Sequence, residues 1–307
     1  MTVTPTRPML AQSYTPAKCH YPVHVSTKLD GLRCLAHITD EGVLLFSRDL
    51  KPITSMQHVQ DELAALGLPT GTVLDGELFA PSLSFQVQNG IIRRKKPTPE
   101  ALAVQYHIYD LARDASGPLT APFHQRYVRI LNLIPDTATH LRIVRQWPAY
   151  SHEEVVAFER QFVDLGMEGA MVRTEIIDRK GVMRPAGYET EDSGHTRRSW
   201  SLQKVKSFED GEFLIVDIYE EHDLDGNPKG RAAGFVMEDP TRTRDGSPLR
   251  FQCSGLTDEM KARVWSNPGE FVGQTATVKF FGRSDEGTPR HPNFKALRPA
   301  GQLDEAI

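Results

Sequence analysis

The most informative segment of the sequence is Lys28-Leu29-Asp30-Gly31-Leu32-Arg33, which joins two strand-like segments within residues 21–50. A lysine attacks a phosphoryl centre only as the neutral amine, which burial or neighbouring cations favour. The same Lys-x-Asp-Gly pattern is also common in exposed turns between strands. Taken alone, the stretch therefore fits both a nucleophile and an exposed turn.

Further short segments that carry charged or aromatic side chains follow in a fixed order. They are SRDL (47–50), LDGELF (74–79), YHIYDL (106–111), MEGAMVR (167–173), LQKVK (202–206) and TPRHPNFKALR (288–298). Glu77 comes at the end of a strand-like segment, a usual place for ligand-contacting carboxylates. Lys204 and Lys206 point to one side of a strand, because side chains alternate between faces. Each segment also has a structural explanation, as a turn, a core aromatic or a solvated strand edge.

The composition is that of a globular protein. The 307 residues carry 36 basic and 40 acidic side chains, and none of the apolar runs approaches the ~20 residues of a membrane helix. The charge is uneven, with 24 basic and 22 acidic residues in 1–206 against 12 and 18 in 207–307. Binding to phosphates depends on local patches, so the net charge of −4 does not exclude a nucleic-acid partner. Three widely spaced cysteines, Cys19, Cys34 and Cys253, predict neither disulfides nor a zinc site, and a reducing cytoplasm is expected.

The pattern of predicted elements changes near residue 207. Before it, strands alternate with helices predicted over 55–66, 121–134 and the segment that follows the capping box Ser151-x-x-Glu154. After it, five short strand segments surround one helix, over 258–265. This count is typical of an OB-like barrel. We therefore expect two domains, 1–206 and 207–307.

Taken in order, the segments resemble motifs I, Ia, III, IIIa, IV and V of the covalent nucleotidyltransferases, which include polynucleotide ligases and messenger-RNA capping enzymes. The closing TPRHPNFKALR resembles motif VI of small ATP-dependent DNA ligases of the T7-like and chlorella-virus-like kind. The resemblance covers roughly residues 8 to 300. It implies an α+β fold, with a nucleotidyltransferase (adenylation) domain of antiparallel sheets and flanking helices over 1–206. A small OB-fold β-barrel domain is then expected over 207–307.

The resemblance also implies roles for individual residues. Lys28 is expected to become adenylylated, and ATP and Mg²⁺, with Mn²⁺ as a substitute, are the implied substrate and metal. Catalytic roles are implied for Lys28, Lys204, Lys206 and Arg290. Nucleotide contacts are implied for Ser26, Lys28, Arg33, Arg48, Glu77, Tyr109, Glu168, Lys204, Lys206 and Arg298. Asp30 and Glu168 are the expected metal ligands.

The expected partner is nicked duplex DNA, bound by a monomer in the cytoplasm of a bacterial or phage-infected cell, with neither a membrane nor a protein partner. Candidate DNA contacts are Arg93, Arg94, Lys95, Lys96, Arg197 and Arg198, although a solvated loop explains such basic runs equally well. The resemblance in motifs I to V leaves open an RNA ligase or a capping-type guanylyltransferase. A non-catalytic nucleic-acid-binding protein that kept the fold is the remaining alternative.

Overall fold

The structure is a computed structural model in which the chain divides into two compact units, Met1–Lys206 and Ser207–Ile307. It describes residues 5–177, 183–184, 186–189, 198–206, 208–223 and 225–298. The largest apolar cluster of each unit contains residues of that unit alone. Each unit therefore buries its own apolar side chains.

The first unit is built on two sheets flanked by helices. In chain order its strands are β1 (Leu10–Ser13), β2 (Val23–Lys28), β3 (Leu32–Thr39), β4 (Gly42–Ser47), β5 (Val73–Phe79), β6 (Gln105–Asp114), β7 (Gly117–Pro118), β8 (Leu141–Ile143), β9 (Trp147–Ala149), β10 (Gly169–Arg173), β11 (Ile176–Ile177), β12 (Met183–Arg184) and β13 (Arg198–Val205). Its helices are α1 (Gln57–Ala65), α2 (Phe85–Ile92), α3 (Phe123–Leu133) and α4 (His152–Asp164).

The two sheets of this unit are mainly antiparallel. One has the strand order β1-β13-β10-β2-β9, and the other has β4-β3-β5-β6-β7 with β8 beside β6. The pairs β1–β13 and β6–β8 are parallel. Strands β11 and β12 form a separate two-stranded ribbon. The predicted α+β architecture of antiparallel sheets and flanking helices is confirmed.

Helix α4 begins and ends where its sequence predicts. Ser151 Oγ accepts a hydrogen bond from Glu154 N (3.3 Å), and the Glu154 carboxylate accepts one from Tyr150 N (2.9 Å). These bonds satisfy backbone donors that a helix start leaves without partners. Gly166 follows the helix with a φ of 81°, in the left-handed region that commonly ends helices. The helices predicted over 55–66 and 121–134 are present as α1 and α3.

The second unit is one antiparallel sheet with a helix packed against it. Its elements are β14 (Glu209–His222), β15 (Pro228–Arg244), β16 (Ser247–Cys253), α5 (Asp258–Ser266), β17 (Thr275–Phe280) and β18 (Asn293–Leu297). The strand order is β16-β15-β14-β17-β18. Phenylalanines dominate its core, with Phe213, Phe235 and Phe271 almost fully buried. The prediction of five strands with a helix between the third and fourth is confirmed.

This sheet does not close into a continuous barrel within the described part of the unit. Its outer strands, β16 and β18, meet at a single bridge between Ser254 and Asn293. Gly255, with a φ of 98°, turns the chain away directly after that bridge, and β18 is only five residues long. The expected β-barrel is therefore corrected to a sheet whose edges meet at one point.

The first unit holds a buried histidine that predicts sensitivity to acid. His37 is 3% exposed, and burial lowers its pKa to about 4. The unfolded chain therefore takes up a proton as the pH falls below about 6.5, whereas the folded chain does so only near 4. The free energy of unfolding therefore falls by up to about 3 kcal/mol as the pH drops from about 6.5 to about 4. His37→Leu should reduce that loss, measured as the free energy of urea unfolding at pH 7.5 and 4.5.

His124, which is exposed on α3, provides the control for this prediction. His124→Leu should leave the difference in unfolding free energy between the two pH values as it is in the parent chain. If His37→Leu also leaves that difference unchanged, then the histidine is not held neutral by its burial.

No helix in the part of the chain that the structure describes combines the length and the apolar character that crossing a bilayer requires.

Candidate active site

A cavity of about 460 Å³ in the first unit is lined by strands of both sheets, and its wall contains most of the predicted nucleotide contacts. Those in the wall are Ser26, Lys28, Arg33, Arg48, Glu77, Tyr109, Lys204 and Lys206. The volume lies within the usual range for small-molecule sites. Residues spread over 180 positions of sequence therefore meet around one space.

Strand register explains why the residues of three motifs meet in this wall. Met171, on the central strand β10, lies opposite Ser26 of β2 on one side and Lys204 of β13 on the other. Side chains at paired positions point to the same face of a sheet. All three residues line the cavity. The Lys204–Lys206 spacing then points the second lysine to this face as well.

Glu168 joins two lysines of the wall. Its two carboxylate oxygens form ion pairs with the Lys28 and Lys206 ammonium groups. The three side chains are 16–20% exposed, so the charges are largely withdrawn from water. The register places the carboxylate here, because Gly169 lies opposite Lys28 and Glu168 N donates to Lys28 O (3.0 Å).

Gly169 allows β10 and β13 to pack closely against each other. A Cβ atom at this position would lie 2.3 Å from Val205 O, and the residue has a φ of 143°. Both features exclude larger residues without a shift of the backbone. The glycine of the Glu-Gly pair is therefore required for packing β10 against β13, beside the carboxylate.

The positive charges near Lys204 change the pKa of its ammonium group. Burial, assisted by the positive charges of Lys206 and Arg198, lowers the pKa of Lys204 below its ordinary value. An anionic ligand bound here would offset these positive charges and so favour the charged form of Lys204. The wall formed by Lys28, Lys204 and Lys206 therefore suits phosphate groups.

Arg33 and Glu77 line the cavity from the other sheet. They lie directly across from each other in the β3–β5 ladder. The Arg33 guanidinium is held by Asp75 in a two-pronged pair, with Nε 2.9 Å from Oδ1, and the Tyr188 hydroxyl donates to the same carboxylate (2.7 Å). Burial raises the pKa of Glu77 to about 8, although Lys28 and Arg33 oppose this shift. Its carboxyl group therefore suits hydrogen bonds with a ligand's hydroxyl groups.

Tyr109 reaches the cavity through an irregularity in β6. Asp75 pairs with Asp110, but the next residue, Gly76, pairs with Ile108, so that Tyr109 is the extra residue of a bulge. A bulge re-aims a side chain relative to the regular alternation. The Arg33 guanidinium lies 5.8 Å from the centre of the Tyr109 ring. This contact fixes the ring as an aromatic surface in the cavity wall.

The turn after Lys28 is anchored from two sides. Gln88 of α2 donates from Nε2 to Asp30 O (2.7 Å) and accepts from Ala80 N (2.9 Å). A Cβ on Gly31 would lie 2.3 Å from Leu78 O, so only glycine allows the turn to pack on β5. Asp30, predicted as a metal ligand, lies in this turn and not in the cavity wall. Gln88 was not identified from the sequence.

A buried charge network whose pairing was not predicted from the sequence adjoins the cavity. Asp110 is fully buried and pairs with two arginines, Arg126 (Nε to Oδ1, 2.7 Å) and Arg173 (Nη2 to Oδ2, 2.7 Å). Burial alone would raise the pKa of Asp110, but Arg173 and Arg126 hold it below its usual range. Arg173 is also part of the cavity wall. The network therefore supports the wall from within the core.

The predicted nucleic-acid contacts separate into two groups. Arg93 and Arg198 line the cavity. Arg94, Lys95 and Lys96 follow α2 and are exposed, with Arg94 3.6 Å from Glu100. Arg197 lies outside the described residues.

Arg290 and Arg298 belong to the second unit. Arg290 N donates to Gly282 O (3.0 Å) in the loop before β18, and the Arg298 side chain forms an ion pair with Glu212. Their predicted roles toward a nucleotide stay predictions.

The described residues can hold a divalent cation only if a bound ligand supplies further oxygen atoms to it. Within the described residues, His, Cys, Asp and Glu side chains do not form a group of three or more that could hold a metal ion. Mg²⁺ is commonly bound by one or two carboxylates plus the phosphates of a substrate. Glu168, between two lysines, is the carboxylate that best meets this description.

Most of the first unit matches a known domain family. Residues 8–206 match the model described as ATP dependent DNA ligase domain. A DNA ligase of Halobacterium salinarum (strain ATCC 29341 / DSM 671 / R1) is 29% identical over 321 residues, covering 96% of this chain and 54% of that protein. A DNA ligase of African swine fever virus (isolate Warthog/Namibia/Wart80/1980) is 27% identical over 218 residues, covering 69% and 47%. The chain spans about half the length of these curated relatives.

Solved structures share the fold. One from a structure-function analysis of Lig E DNA ligases has a TM-score of 0.72 and 23% identity, covering 96% of this chain and all of that one. The ATP-dependent DNA ligase from bacteriophage T7, in complex with ATP, has a TM-score of 0.53 and 14% identity, covering 95% and 98%. At these identities the likeness shows the fold alone.

Proposed function

Since the chain belongs to the ATP-dependent DNA ligase family, we propose that it uses ATP to seal 5′-phosphate/3′-hydroxyl nicks in duplex DNA. The observation that carries this proposal is the cluster in which Glu168 pairs with Lys28 and Lys206 of the cavity wall, with Lys204 in the same wall. It combines a primary amine with cations that can neutralise phosphates. Such a set of residues suits transfer of a nucleotidyl group to the amine.

In the proposed first step, Lys28 Nζ attacks the α-phosphorus of ATP. The Lys28 ammonium group first gives up one proton to solvent. A nitrogen–phosphorus bond then forms, the bond from that phosphorus to the pyrophosphate oxygen breaks, and the nitrogen gives up a second proton to solvent. Lys204 and Lys206 are placed to neutralise the phosphate oxygens as charge develops. A divalent cation held by Glu168 and the phosphates would further reduce that negative charge.

Two further displacements complete sealing. An oxygen of the 5′-phosphate at the nick attacks the same phosphorus, which releases the Lys28 amine and forms a DNA–adenylate. The 3′-hydroxyl then attacks the 5′-phosphorus, so that a phosphodiester forms and AMP leaves. Each step is an in-line displacement in which positioning and charge neutralisation supply most of the acceleration.

Other residues of the cavity wall are proposed to bind the ribose, the base and the phosphates of the nucleotide. Glu77 is proposed to accept hydrogen bonds from the ribose hydroxyls, and Tyr109 to stack on the base. Arg33 and Arg48 are proposed to contact phosphate oxygens, for which the planar guanidinium is suited. The contact between Arg33 and Asp75 keeps the first of these arginines in place before the nucleotide binds.

The second unit is proposed to be an OB-fold domain. Support comes from its five antiparallel strands and from the helix between the third and fourth. Arg290 and Arg298 of this unit are proposed to act on the nucleotide's phosphates during adenylylation.

The proposal is tested by incubating the purified protein with Mg²⁺, a nicked DNA duplex and one of three donors: ATP, GTP or NAD⁺. We expect sealing with ATP alone. Use of GTP would favour capping chemistry, and sealing of nicks in RNA but not in DNA would favour an RNA ligase. With each donor also supplied in labelled form, a protein that seals no nick and takes up no covalent label from any donor would be a nucleic-acid-binding protein. That result would contradict the proposal.

The exposed pair Lys95 and Lys96 is proposed to contact the DNA backbone. The double variant Lys95→Ala/Lys96→Ala should weaken binding to a nicked duplex at low salt. It should also reduce the slope of log K against log salt concentration by roughly 2, because two counterions fewer are released. Fluorescence anisotropy over a salt series measures both quantities.

The control for this pair removes two exposed charges elsewhere in the same unit, from Arg129 of α3 and Arg160 of α4. Arg129→Ala/Arg160→Ala should leave the slope unchanged. Equal slopes for both double variants would show that the 95–96 pair is a solvated loop.

A further inference from the structure

Gln146 is a wall residue of the cavity that the proposed chemistry leaves without a role. It immediately precedes β9, where Trp147 lies opposite Val25 of β2. Extending this antiparallel register by one residue places Gln146 across from Ser26. Lys28 lies two residues further along β2, about 6–7 Å away along the strand. Gln146 therefore lies in the same cavity wall as Lys28, displaced from it along β2.

The side-chain amide of Gln146 has a fixed orientation. Its Nε2 donates to Val144 O (3.2 Å), and a carbonyl can only accept, so the NH₂ group must face that carbonyl. Its Oε1 is buried and finds no donor among the described residues. A buried acceptor without a donor is unfavourable. The site therefore favours a ligand that brings a hydrogen-bond donor to this oxygen.

We infer that Gln146 Oε1 accepts a hydrogen bond from the 6-amino group of adenine and thereby selects ATP over GTP. The inference rests on the proposed function, since it places a purine nucleotide in the cavity. Adenine carries a donor at C6, whereas guanine carries a carbonyl oxygen, which is an acceptor. Two acceptors facing each other in a buried site repel, and neither regains the hydrogen bond that it made in water.

The inference is tested by equilibrium binding without Mg²⁺, so that no transfer of the nucleotide is required. The ligands are ATP, purine riboside 5′-triphosphate, which has hydrogen at C6, and inosine 5′-triphosphate, which has a carbonyl oxygen there. The wild-type chain should bind ATP at least about tenfold more tightly than the purine riboside analogue. Inosine triphosphate should bind most weakly of the three.

Gln146→Met keeps the length of the side chain and removes the acceptor. It should lower affinity for ATP until ATP and the purine riboside analogue bind equally, with affinity for the analogue unchanged. Gln146→Glu keeps an acceptor oxygen and should retain the preference for ATP. Gln105→Met makes the same chemical change on β6, outside the cavity wall, and should alter neither affinity.

Two results would overturn the inference. One is a wild-type chain that binds ATP and the purine riboside analogue equally, a comparison that needs no variant to fold. The other is a Gln146→Met chain that retains the wild-type preference or loses affinity for both nucleotides alike. A chain with the predicted preference but without nick sealing would contradict the proposed function and leave this inference standing.

Discussion

Replacement of Lys28 by alanine is expected to reduce the sealing of a 5′-phosphorylated nick by at least about 10⁴-fold, because the nucleophile for the first step is lost. Sealing of a nick that already carries the 5′-adenylate needs no lysyl–AMP. It should fall by only about tenfold, the effect of losing one charge-assisted hydrogen bond. Gel assays on the two substrates, with Mg²⁺ present, measure the contrast.

Lys28→Arg is the matched variant for this experiment. It keeps a cation beside Glu168, but a guanidinium is never available as a neutral nucleophile. We expect it to fail on the ordinary nick and to seal the adenylated nick better than Lys28→Ala does. Equal losses on both substrates for both variants would show that Lys28 serves binding or folding and is not the residue that becomes adenylylated.

Asp110→Ala is expected to destabilise the first unit by about 3–5 kcal/mol, because it leaves two buried guanidinium groups without their shared carboxylate. Arg126 is 1% exposed and Arg173 is 6% exposed, so water cannot replace the lost partner without opening the core. Arg173 also lines the cavity, so nucleotide binding should weaken together with stability. Urea unfolding followed by circular dichroism measures the change.

Asp114 provides the comparison at the surface. Its carboxylate pairs with Arg129 at 2.7 Å, but that arginine is 47% exposed. Asp114→Ala should cost less than about 1 kcal/mol, as is usual for exposed ion pairs. If Asp110→Ala were no more costly than this, the buried network would not support the cavity wall.

The parts of the fold that depend on local sequence could be predicted. The capping box at Ser151 and the glycine at position 166 define α4 without any tertiary contact. Helix α2 was not among the predicted helices, and it contains Asn89-Gly90, a pair that is typical of a turn. Its helical state depends on long-range contacts: Ile91 and Ile92 are buried in the core, and Gln88 binds the turn after Lys28.

The candidate site shows the same division. Lys204 and Lys206 could be placed on one face of a strand from their spacing, since side chains alternate between faces. The roles of Lys28 and Glu168 were predicted from the resemblance to the nucleotidyltransferase motifs. The bulge that re-aims Tyr109 has no signature in YHIYDL itself. Arg126, on a helix sixteen residues after Asp110, could not be linked to that residue before the tertiary structure brought the pair to 2.7 Å. Gln146 stands out only because its oxygen is buried without a donor among the described residues.

The central claim is that Lys28 carries AMP between ATP and DNA. The most direct measurement treats the protein with pyrophosphate to remove any bound adenylate and adds Mg²⁺ and α-labelled ATP. The protein is then digested and the labelled peptide identified. We predict label on the peptide that contains Lys28, none from labelled GTP, and transfer of the label to DNA when a 5′-phosphorylated nick is added. Label on another residue, or none from ATP on folded protein, would contradict the account.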